Sequence, residues 1–395
     1  MALETVGGLA MHIILSKLGP LQAASVACLS KRFRVWASED TLWAQFCSDD
    51  LDLSSPLDPY GNPTPSFKVL PTLRRGASEH EIDDFENSMK LKLPIPTRIL
   101  YRFVDGQELP NQHFSGDLPS SLLGIMGGYV LYNHLVNVFL LPLRQVAIDT
   151  RGVARQLGLS SRSKYIVVAS SATYSEKIFF LDCSSGQLFV GTRNLVMDGE
   201  MLPCLRGAKG GEDAMLTWLE EHGRRLHDGV IKVRREGKIR SINLFPEKAP
   251  LCSLAVTNGV KVRASAVFVP EFSNLQDESE KFLFGYSIRM SLSPDGCIIN
   301  GLTFSSCQLH WRHWIIRAND AIVSDINGEA VIGKFPLLRP DEEEFVYESC
   351  ASLPASKGSI EGSYTFVPGR LVDAKGSPFA VEVARFPLEL PDYIF

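Results

Sequence analysis

The chain has 395 residues, of which 45% are apolar and 22% are charged, and its formal net charge at pH 7 is −5. These proportions are ordinary for a folded chain of two or three domains. The small net charge gives no reason to expect nucleic acid or an anionic membrane as a partner.

The eight cysteines are thinly spread and include no C-x-x-C pair, which is typical of a reducing compartment. The N-terminus lacks the basic segment of a secretory signal, and no uncharged apolar run reaches the roughly 18 residues of a membrane span. We therefore expect an intracellular protein, cytoplasmic or nuclear, with no membrane partner.

Residues 1–48 have the pattern of several short helices. In the first of them, over 9–18, apolar residues recur at helical spacing, and Gly19-Pro20 ends it. Further helices are predicted over 21–30, 31–37 and 41–47. A segment of this length is too short to bury all of its own apolar surface. Because an exposed apolar patch indicates a site for a partner, we expect one here. The candidate contact residues are Leu9, Ile13, Ile14, Leu18, Pro20 and Leu21.

Residues 49–65 are rich in Pro, Asp, Ser and Gly and are predicted to form a linker. An α+β domain is predicted over 66–225. Its first helix is opened by a Ser78–Glu81 capping box, short strands follow, and a helix over 212–226 closes it. Residues 226–255 are predicted to be a connector. Its basic run at 231–240 suits a solvated strand or linker better than a nuclear-import or nucleic-acid patch.

Residues 256–395 are predicted to be all-β. Short stretches rich in β-branched and aromatic residues alternate with turn residues, which is typical of a β-sandwich. One short strand is predicted over 329–333. Asn327-Gly328 predicts a hairpin turn, which we favour over a nucleotide-binding loop because prolines follow Gly333 too closely for a helix.

The stretch FSSCQLHWRHWII, residues 304–316, raises the question of a metal or catalytic site. Zinc needs about four converging ligands, and strand alternation places the two histidines on opposite faces. We therefore expect a strand with neither a metal nor a catalytic residue. Its face with His310, Arg312 and Trp314 is expected to point toward a candidate ligand or target surface.

Three parts of the chain resemble known families. Residues 1–48 resemble an F-box through Leu9, Ile13-Ile14, Leu18, Pro20 and DTLW, although the family's Leu-Pro opening is Leu9-Ala10 here. The middle segment resembles the Smi/Knr family through Ser78-Glu79, LPIP and VDGQE. The last segment resembles ApaG through YSIRMSL, RHWII, GEAVIG, FVYESC and PFAVEVARFPL, in that family's order.

The ApaG resemblance implies a fibronectin-like sandwich with a glycine-rich loop linked to diphosphate binding. The central glycine of that loop is Ala330 here. Gly328, Gly333 and Lys334 join Arg312 as candidate ligand residues on this resemblance.

The order of the three parts is that of a subgroup of F-box proteins, in plants the SKIP-type, whose members bind the Skp adaptor. The resemblance implies a multidomain, non-catalytic subunit of a Skp–cullin–F-box (SCF) ubiquitin ligase that recognises substrates. Its partners would be a Skp-type adaptor, through it a cullin, and unidentified target proteins, with no cofactor. The alternative is a scaffold without a ligase role that senses a phosphorylated small ligand through the ApaG-like part.

Overall fold

The computed structural model describes residues 8–19, 22–23, 26, 31–37, 39–51, 73–109, 124–132, 134–157, 164–171, 177–195, 200–206, 214–236 and 239–395. Within them the chain forms a small group of helices, a mixed part with one large sheet, and a two-sheet β-sandwich. The predicted multidomain fold class, with small all-α, α+β and all-β parts, is confirmed.

The N-terminal helices have a core of their own. They are α1 (Gly8–Leu18), α2 (Lys31–Trp36) and α3 (Asp40–Leu51). Their buried residues are Met11, Leu15, Ala23, Phe33, Trp36, Ala37, Leu42 and Phe46. Most of the helix predicted over 21–30 lies outside the described residues. Helix α3 includes residues 49–51 of the predicted linker, and residues 52–65 of that linker lie outside the described residues.

The middle part is built around an eight-stranded sheet in the order β8-β7-β6-β5-β4-β3-β10-β9. Its strands are antiparallel except for the parallel pair of β10 and β3. A separate two-stranded sheet joins β1 and β2. In chain order the elements are β1 (Leu73–Arg75), α4 (Glu79–Met89), α5 (Ile95–Phe103), β2 (Val104–Gln107), β3 (Gly127–Leu131), β4 (His134–Leu140), α6 (Leu143–Gln156), β5 (Tyr165–Ser171), β6 (Ile178–Asp182), β7 (Leu188–Gly191), β8 (Met201–Pro203), α7 (Ala214–His227), β9 (Lys232–Glu236) and β10 (Ile239–Asn243).

The capping box at the start of α4 is confirmed. The Ser78 hydroxyl accepts a hydrogen bond from the Glu81 backbone N–H at 3.2 Å, and the Glu81 carboxylate accepts one from the Ser78 backbone N–H at 2.7 Å. Several elements of the middle part were not predicted, and the longest of them are β4 and α6. The run HLVNVFLLPLRQVAI that contains them is apolar almost throughout, so periodicity alone does not divide it into a strand and a helix.

The segment 226–255 is not a free connector, in contrast to the expectation. Strands β9 and β10 form an antiparallel hairpin within it, and β10 extends the middle sheet. Two basic residues of β9 pair with a buried carboxylate: Lys232 Nζ lies 3.2 Å from Glu247, and Arg234 also pairs with it. Arg263 of the sandwich reaches the same carboxylate at 3.4 Å. Two positive charges of this segment therefore pair with an internal acid, and the sequence alone does not reveal this pairing.

The C-terminal part is a sandwich of a four-stranded sheet, β11-β12-β13-β19, and a larger sheet built on β17-β16-β20, with β22 beside β20. Its elements are β11 (Cys252–Thr257), β12 (Val260–Phe268), β13 (Phe282–Leu292), β14 (Cys297–Ile299), β15 (Leu302–Phe304), β16 (Cys307–Ala318), β17 (Ala321–Glu329), β18 (Leu337–Leu338), β19 (Phe345–Leu353), β20 (Lys357–Arg370), β21 (Asp373–Ala374) and β22 (Phe379–Glu389). Buried residues of the middle part and of the sandwich form one continuous core.

The hairpin predicted at Asn327-Gly328 is wrong. Strand β17 runs straight through both residues, which pair with His313 and Arg312 of β16. The β16–β17 turn is made instead at Asn319 and Asp320, whose φ angles are 47° and 67°. Two consecutive left-handed residues are what a tight hairpin turn needs, and Asn and Asp adopt this conformation more readily than most other non-glycine residues. The strand predicted over 329–333 is also wrong, because residues 330–333 form a turn after β17.

Candidate functional site

Helix α1 carries the first group of candidate residues. Its residues Met11 and Leu15 are buried in the N-terminal core. The other side exposes Ile13, Ile14 and Leu18 by 53%, 39% and 44%. Leu9 also lies in α1, but its side chain is outside what the structure describes, as are Pro20 and Leu21. An apolar stripe is therefore left on the surface of a helix whose opposite face is already packed.

The second group lies on strand β16, where a β-bulge changes the expected faces. Leu309 pairs with Phe366 and Trp311 with Thr365, so His310 is an extra residue on this strand. A bulge of this kind reverses which side chains point inward. Before it Leu309 is buried, and after it Trp314 is buried.

Trp314 is therefore not a surface residue, and the prediction from strand alternation that placed it on the surface is wrong. Only 2% of it is exposed. Its ring packs edge-on against Tyr286, Tyr364 and Phe386 in the sandwich core. His313 lies on the opposite face, where its Nε2 is 2.8 Å from a carboxylate oxygen of Asp325.

Arg312 shares the inward face with Trp314 but has no carboxylate partner among the described residues. Its Nε atom is buried and makes no hydrogen bond. The guanidinium lies near the buried hydroxyls of Tyr347 and Tyr364, which are 2.6 Å apart. Burial raises the pKa of both tyrosines, and the charge of Arg312 acts in the opposite direction. Sequence reasoning missed this tyrosine pair, because nothing in the spacing of 347 and 364 indicates contact.

The loop after β17 brings some of the remaining candidates together. Gly328 lies opposite Arg312, and a methyl group added there would be 3.6 Å from the guanidinium. The Ala330 backbone N–H donates to the His310 carbonyl oxygen at 3.0 Å, so the loop is anchored at the bulge. Ala330 has a φ of 62°, a conformation that favours glycine. Gly333 and Lys334 follow on the exposed side of this loop.

No group of three or more His, Cys, Asp or Glu side chains in the described part of the chain is placed to hold a metal ion. Cys307 is buried in the core beside Cys297. None of the described helices is long and apolar enough to cross a bilayer.

A buried polar network joins the middle part to the sandwich. The Lys177 ammonium donates to the Tyr129 hydroxyl at 3.0 Å and to the Phe395 backbone oxygen at 2.6 Å. The Tyr129 hydroxyl in turn donates to Glu271. Burial lowers the pKa of Lys177, and the Glu271 carboxylate opposes this shift. Sequence reasoning missed the network because its members are separated by up to 218 positions.

The residues near Phe395 extend this junction with aromatic packing. The Phe395 ring stacks on Trp218 of α7 at 4.9 Å, and the Trp218 indole N–H donates to the Ile394 carbonyl oxygen at 2.6 Å. The two parts are therefore held together by both polar and aromatic contacts.

Comparison with known proteins gives three groups of matches. A family model described as the ApaG domain matches residues 272–368. The chain is 52% identical over 444 aligned positions to F-box protein SKIP16 of Arabidopsis thaliana, with 100% of both chains covered. It is 25% identical over 338 positions to F-box only protein 3 of Homo sapiens, covering 82% of this chain and 62% of that protein.

The C-terminal part also matches shorter proteins. Protein ApaG of Nitrosomonas europaea is 33% identical over 132 residues, which cover 33% of this chain and 91% of that protein. A solved structure of the putative ApaA protein from Bordetella pertussis aligns with a TM-score of 0.28 and 30% identity, covering 33% of this chain and 94% of that one. Given its full-length similarity to an F-box protein and its ApaG match, this chain belongs to the F-box proteins that carry a C-terminal ApaG domain.

Proposed function

We propose that this chain is the substrate-recognition subunit of an SCF ubiquitin ligase and that α1 contacts the Skp-type adaptor. The observation that carries the proposal is the exposed stripe of Ile13, Ile14 and Leu18 on a helix whose other face is packed. Contiguous exposed apolar surface marks a protein interaction site. Leu9, Pro20 and Leu21 extend the proposed contact along the chain.

The rest of the chain then presents the target. We propose an F-box at 1–48, a linker between α3 and the middle part, a Smi/Knr-like domain at 66–225 and an ApaG-like domain at 256–395. Residues 226–255, predicted as a connector, add β9 and β10 to the sheet of the middle part and begin β11 of the sandwich. The continuous core across the last two domains supports their acting as one target-binding unit. The chain contributes no catalytic residue in this proposal, because it accelerates ubiquitin transfer by holding an intracellular target near a conjugating enzyme bound through the cullin.

The adaptor contact is tested with the double variant Ile13→Asp/Leu18→Asp. Burial of one such side chain contributes about 1.5–3 kcal/mol, so we expect adaptor affinity to fall at least tenfold. Val372→Asp/Val346→Asp is the matched control, because it adds the same two charges at apolar residues of the ApaG-like part that are 92% and 39% exposed. Deletion of residues 1–48 should abolish co-purification with the adaptor. Equal co-purification of the double variant and the unaltered chain would contradict the proposal.

A second candidate activity is binding of a phosphorylated small ligand at the ApaG-like part. The buried, unbonded Nε of Arg312 supports it, together with the adjacent Gly328 and the exposed loop with Gly333 and Lys334. Calorimetry of the full chain with pyrophosphate tests it. We expect heat of binding that is lost in Arg312→Gln and kept in Arg339→Gln, and no heat at millimolar pyrophosphate would remove this candidate.

A further inference from the structure

The segment that follows β22 leaves the sandwich and lies against the middle part. This docked segment, residues 390–395, runs antiparallel to the stretch that continues from β8 at the end of the eight-stranded sheet. The Arg206 backbone N–H donates to the Asp392 carbonyl oxygen at 2.9 Å, and the Ile394 N–H donates to the Cys204 carbonyl oxygen at 2.8 Å. The docked segment therefore adds a short strand to the edge of a sheet, as an extended peptide does when it binds by strand addition.

The end of the docked segment fills an aromatic pocket of the middle part. The Phe395 ring stacks on Trp218 at 4.9 Å and lies 5.1 Å from the imidazole of His222. The Arg225 guanidinium covers the ring, 4.7 Å from its centre. The Trp218 indole and the Lys177 ammonium each donate to a backbone oxygen of the segment at 2.6 Å. Because every peptide has backbone oxygens, these contacts suit any extended chain with an aromatic side chain at this position.

The docked segment does not fill or satisfy this pocket completely. A cavity of about 70 Å³ remains beside Phe395, with Leu244 and Phe268 among its apolar walls. His222 is 4% exposed, and its Nδ1 has no hydrogen-bond partner among the described residues. The Phe395 ring has no polar atom to offer it. Empty apolar space and an unsatisfied buried polar atom both lower stability. The pocket therefore has binding capacity that the docked segment leaves unused.

The docked segment is held by few contacts compared with the strands of the sandwich. Only Ile394 and Phe395 are buried in it, and Asp392 is exposed. Two backbone–backbone hydrogen bonds join it to the middle part among the described residues. Short segments at the edge of a structure open locally at a lower free-energy cost than core strands. Release of the docked segment uncovers the pocket and the edge beside β8 together.

We propose that the edge beside β8 and the pocket at Trp218 form a peptide-binding site, and that residues 390–395 are its displaceable resident ligand. The partner is an extended segment of another protein in which an aliphatic residue precedes an aromatic one, as in the docked segment. It replaces the docked segment, with its backbone paired along residues 204–206 and its aromatic ring beneath the Arg225 guanidinium. The assignment of this partner to a degradation target rests on the proposed ligase function, whereas the binding itself does not.

The test uses an acetylated, amidated peptide with the sequence of residues 390–395 and the full chain carrying Ile394→Ser/Phe395→Ser. In the unaltered chain the docked segment competes at an effective concentration on the order of millimolar. We therefore expect the double variant to bind the peptide at least tenfold more tightly than the unaltered chain in calorimetry. A peptide with serine in place of its isoleucine and phenylalanine should not bind. Equal affinities of the two proteins, or no heat from the double variant at millimolar peptide, would overturn the proposal.

Two substitutions added to the double variant locate the binding. Arg225→Gln removes the cation that covers the aromatic ring and should weaken peptide binding severalfold. Arg224→Gln is the matched control, because Arg224 and Arg225 both pair with Glu221 and the Arg224 side chain is 56% exposed. It should leave peptide binding unchanged. Unweakened binding after Arg225→Gln would mean that the peptide lies elsewhere and would refute the site.

Hydrogen exchange on the unaltered chain gives a readout that does not depend on the folding of any variant. The Ile394 amide donates to the Cys204 carbonyl oxygen, so its exchange reports release of the docked segment. We expect it to exchange at least tenfold faster than the amides inside β16, because the segment leaves while the sandwich stays folded. Equal exchange rates would show that the segment leaves only on global unfolding, which would overturn its role as a displaceable ligand.

Adaptor binding is measured in parallel, because the peptide site and the stripe on α1 share no residue. Failure of the peptide experiments with intact adaptor binding overturns the peptide site and leaves the ligase proposal standing. Peptide binding as expected, together with unchanged adaptor binding in the α1 double variant, supports the peptide site and contradicts the ligase proposal.

Discussion

His222 should make the junction between the middle part and the sandwich sensitive to acid. This side chain of α7 is 4% exposed and stacks nearly parallel to Trp218, at 6.2 Å. Its Nε2 lies 2.8 Å from the Ile125 carbonyl oxygen, which identifies it as the protonated nitrogen of the neutral ring. Its Nδ1 is buried without a partner, so a second proton there would have no acceptor.

Burial lowers the pKa of His222 from 6.5 to about 4, with the hydrogen bond to Ile125 acting in the opposite direction and the charge of Arg225 adding to the decrease. The unfolded chain therefore binds a proton that the folded chain does not bind between these two pH values. Stability from this residue is fully present above pH 6.5 and is lost as the pH falls toward 4. Complete protonation should lower the free energy of unfolding by roughly 3 kcal/mol, and about 2 kcal/mol of this decrease should have occurred by pH 5.

The assay is urea unfolding at pH 7 and pH 5 for the unaltered chain and for His222→Gln. Glutamine can still donate to Ile125 but has no group that titrates in this range. We expect the unaltered chain to lose about 2 kcal/mol more than the variant between the two pH values. His80→Gln is the matched control, because it removes an imidazole whose side chain is 84% exposed. Equal losses in the unaltered chain and in His222→Gln would refute the reasoning.

Three further predictions concern stability and are measured by urea unfolding at pH 7. Trp314→Ala should lower the free energy of unfolding by about 3–5 kcal/mol, because it leaves a cavity in the core. His313→Ala, on the exposed face of the same strand, should lower it by less than about 1 kcal/mol. Similar losses in the two variants would contradict the bulge at His310. Ser78→Ala should cost about 1 kcal/mol through loss of the cap, and no loss would show that the cap is not formed. Ile332→Asn should add about 0.5–1 kcal/mol, because φ is 46° at this exposed β-branched residue; a loss would contradict that backbone conformation.

Strand β16 shows which features of a strand can be predicted from its residue pattern and which cannot. The composition of residues 307–316 predicts a strand, and the structure confirms one over Cys307–Ala318. Alternation then fails after Leu309, because the bulge at His310 exchanges the two faces. A bulge depends on how the neighbouring strand is paired, so the residues of one strand do not reveal it.

The candidate sites also differ in how much of them the sequence predicted. The exposed positions of Ile13, Ile14 and Leu18 agree with the sequence argument that so short a segment has more apolar surface than its own core covers. The buried network of Tyr129, Lys177 and Glu271 had no counterpart in the sequence analysis, because these three residues lie far apart along the chain.

The sequence by itself determined the classes of the three parts, the cap at Ser78, most strands of the sandwich and the resemblance to F-box and ApaG families. These features depend on local periodicity, on capping chemistry and on motifs whose residues are adjacent in the chain. Only the tertiary structure decided that β9 and β10 join the middle sheet, that Asn319 and Asp320 make the hairpin turn, and that Trp314 faces the core. The first and the third depend on which distant strand supplies the hydrogen bonds, and the second depends on the register in which β16 and β17 pair. The order of residues along one strand specifies neither the partner strand nor the register.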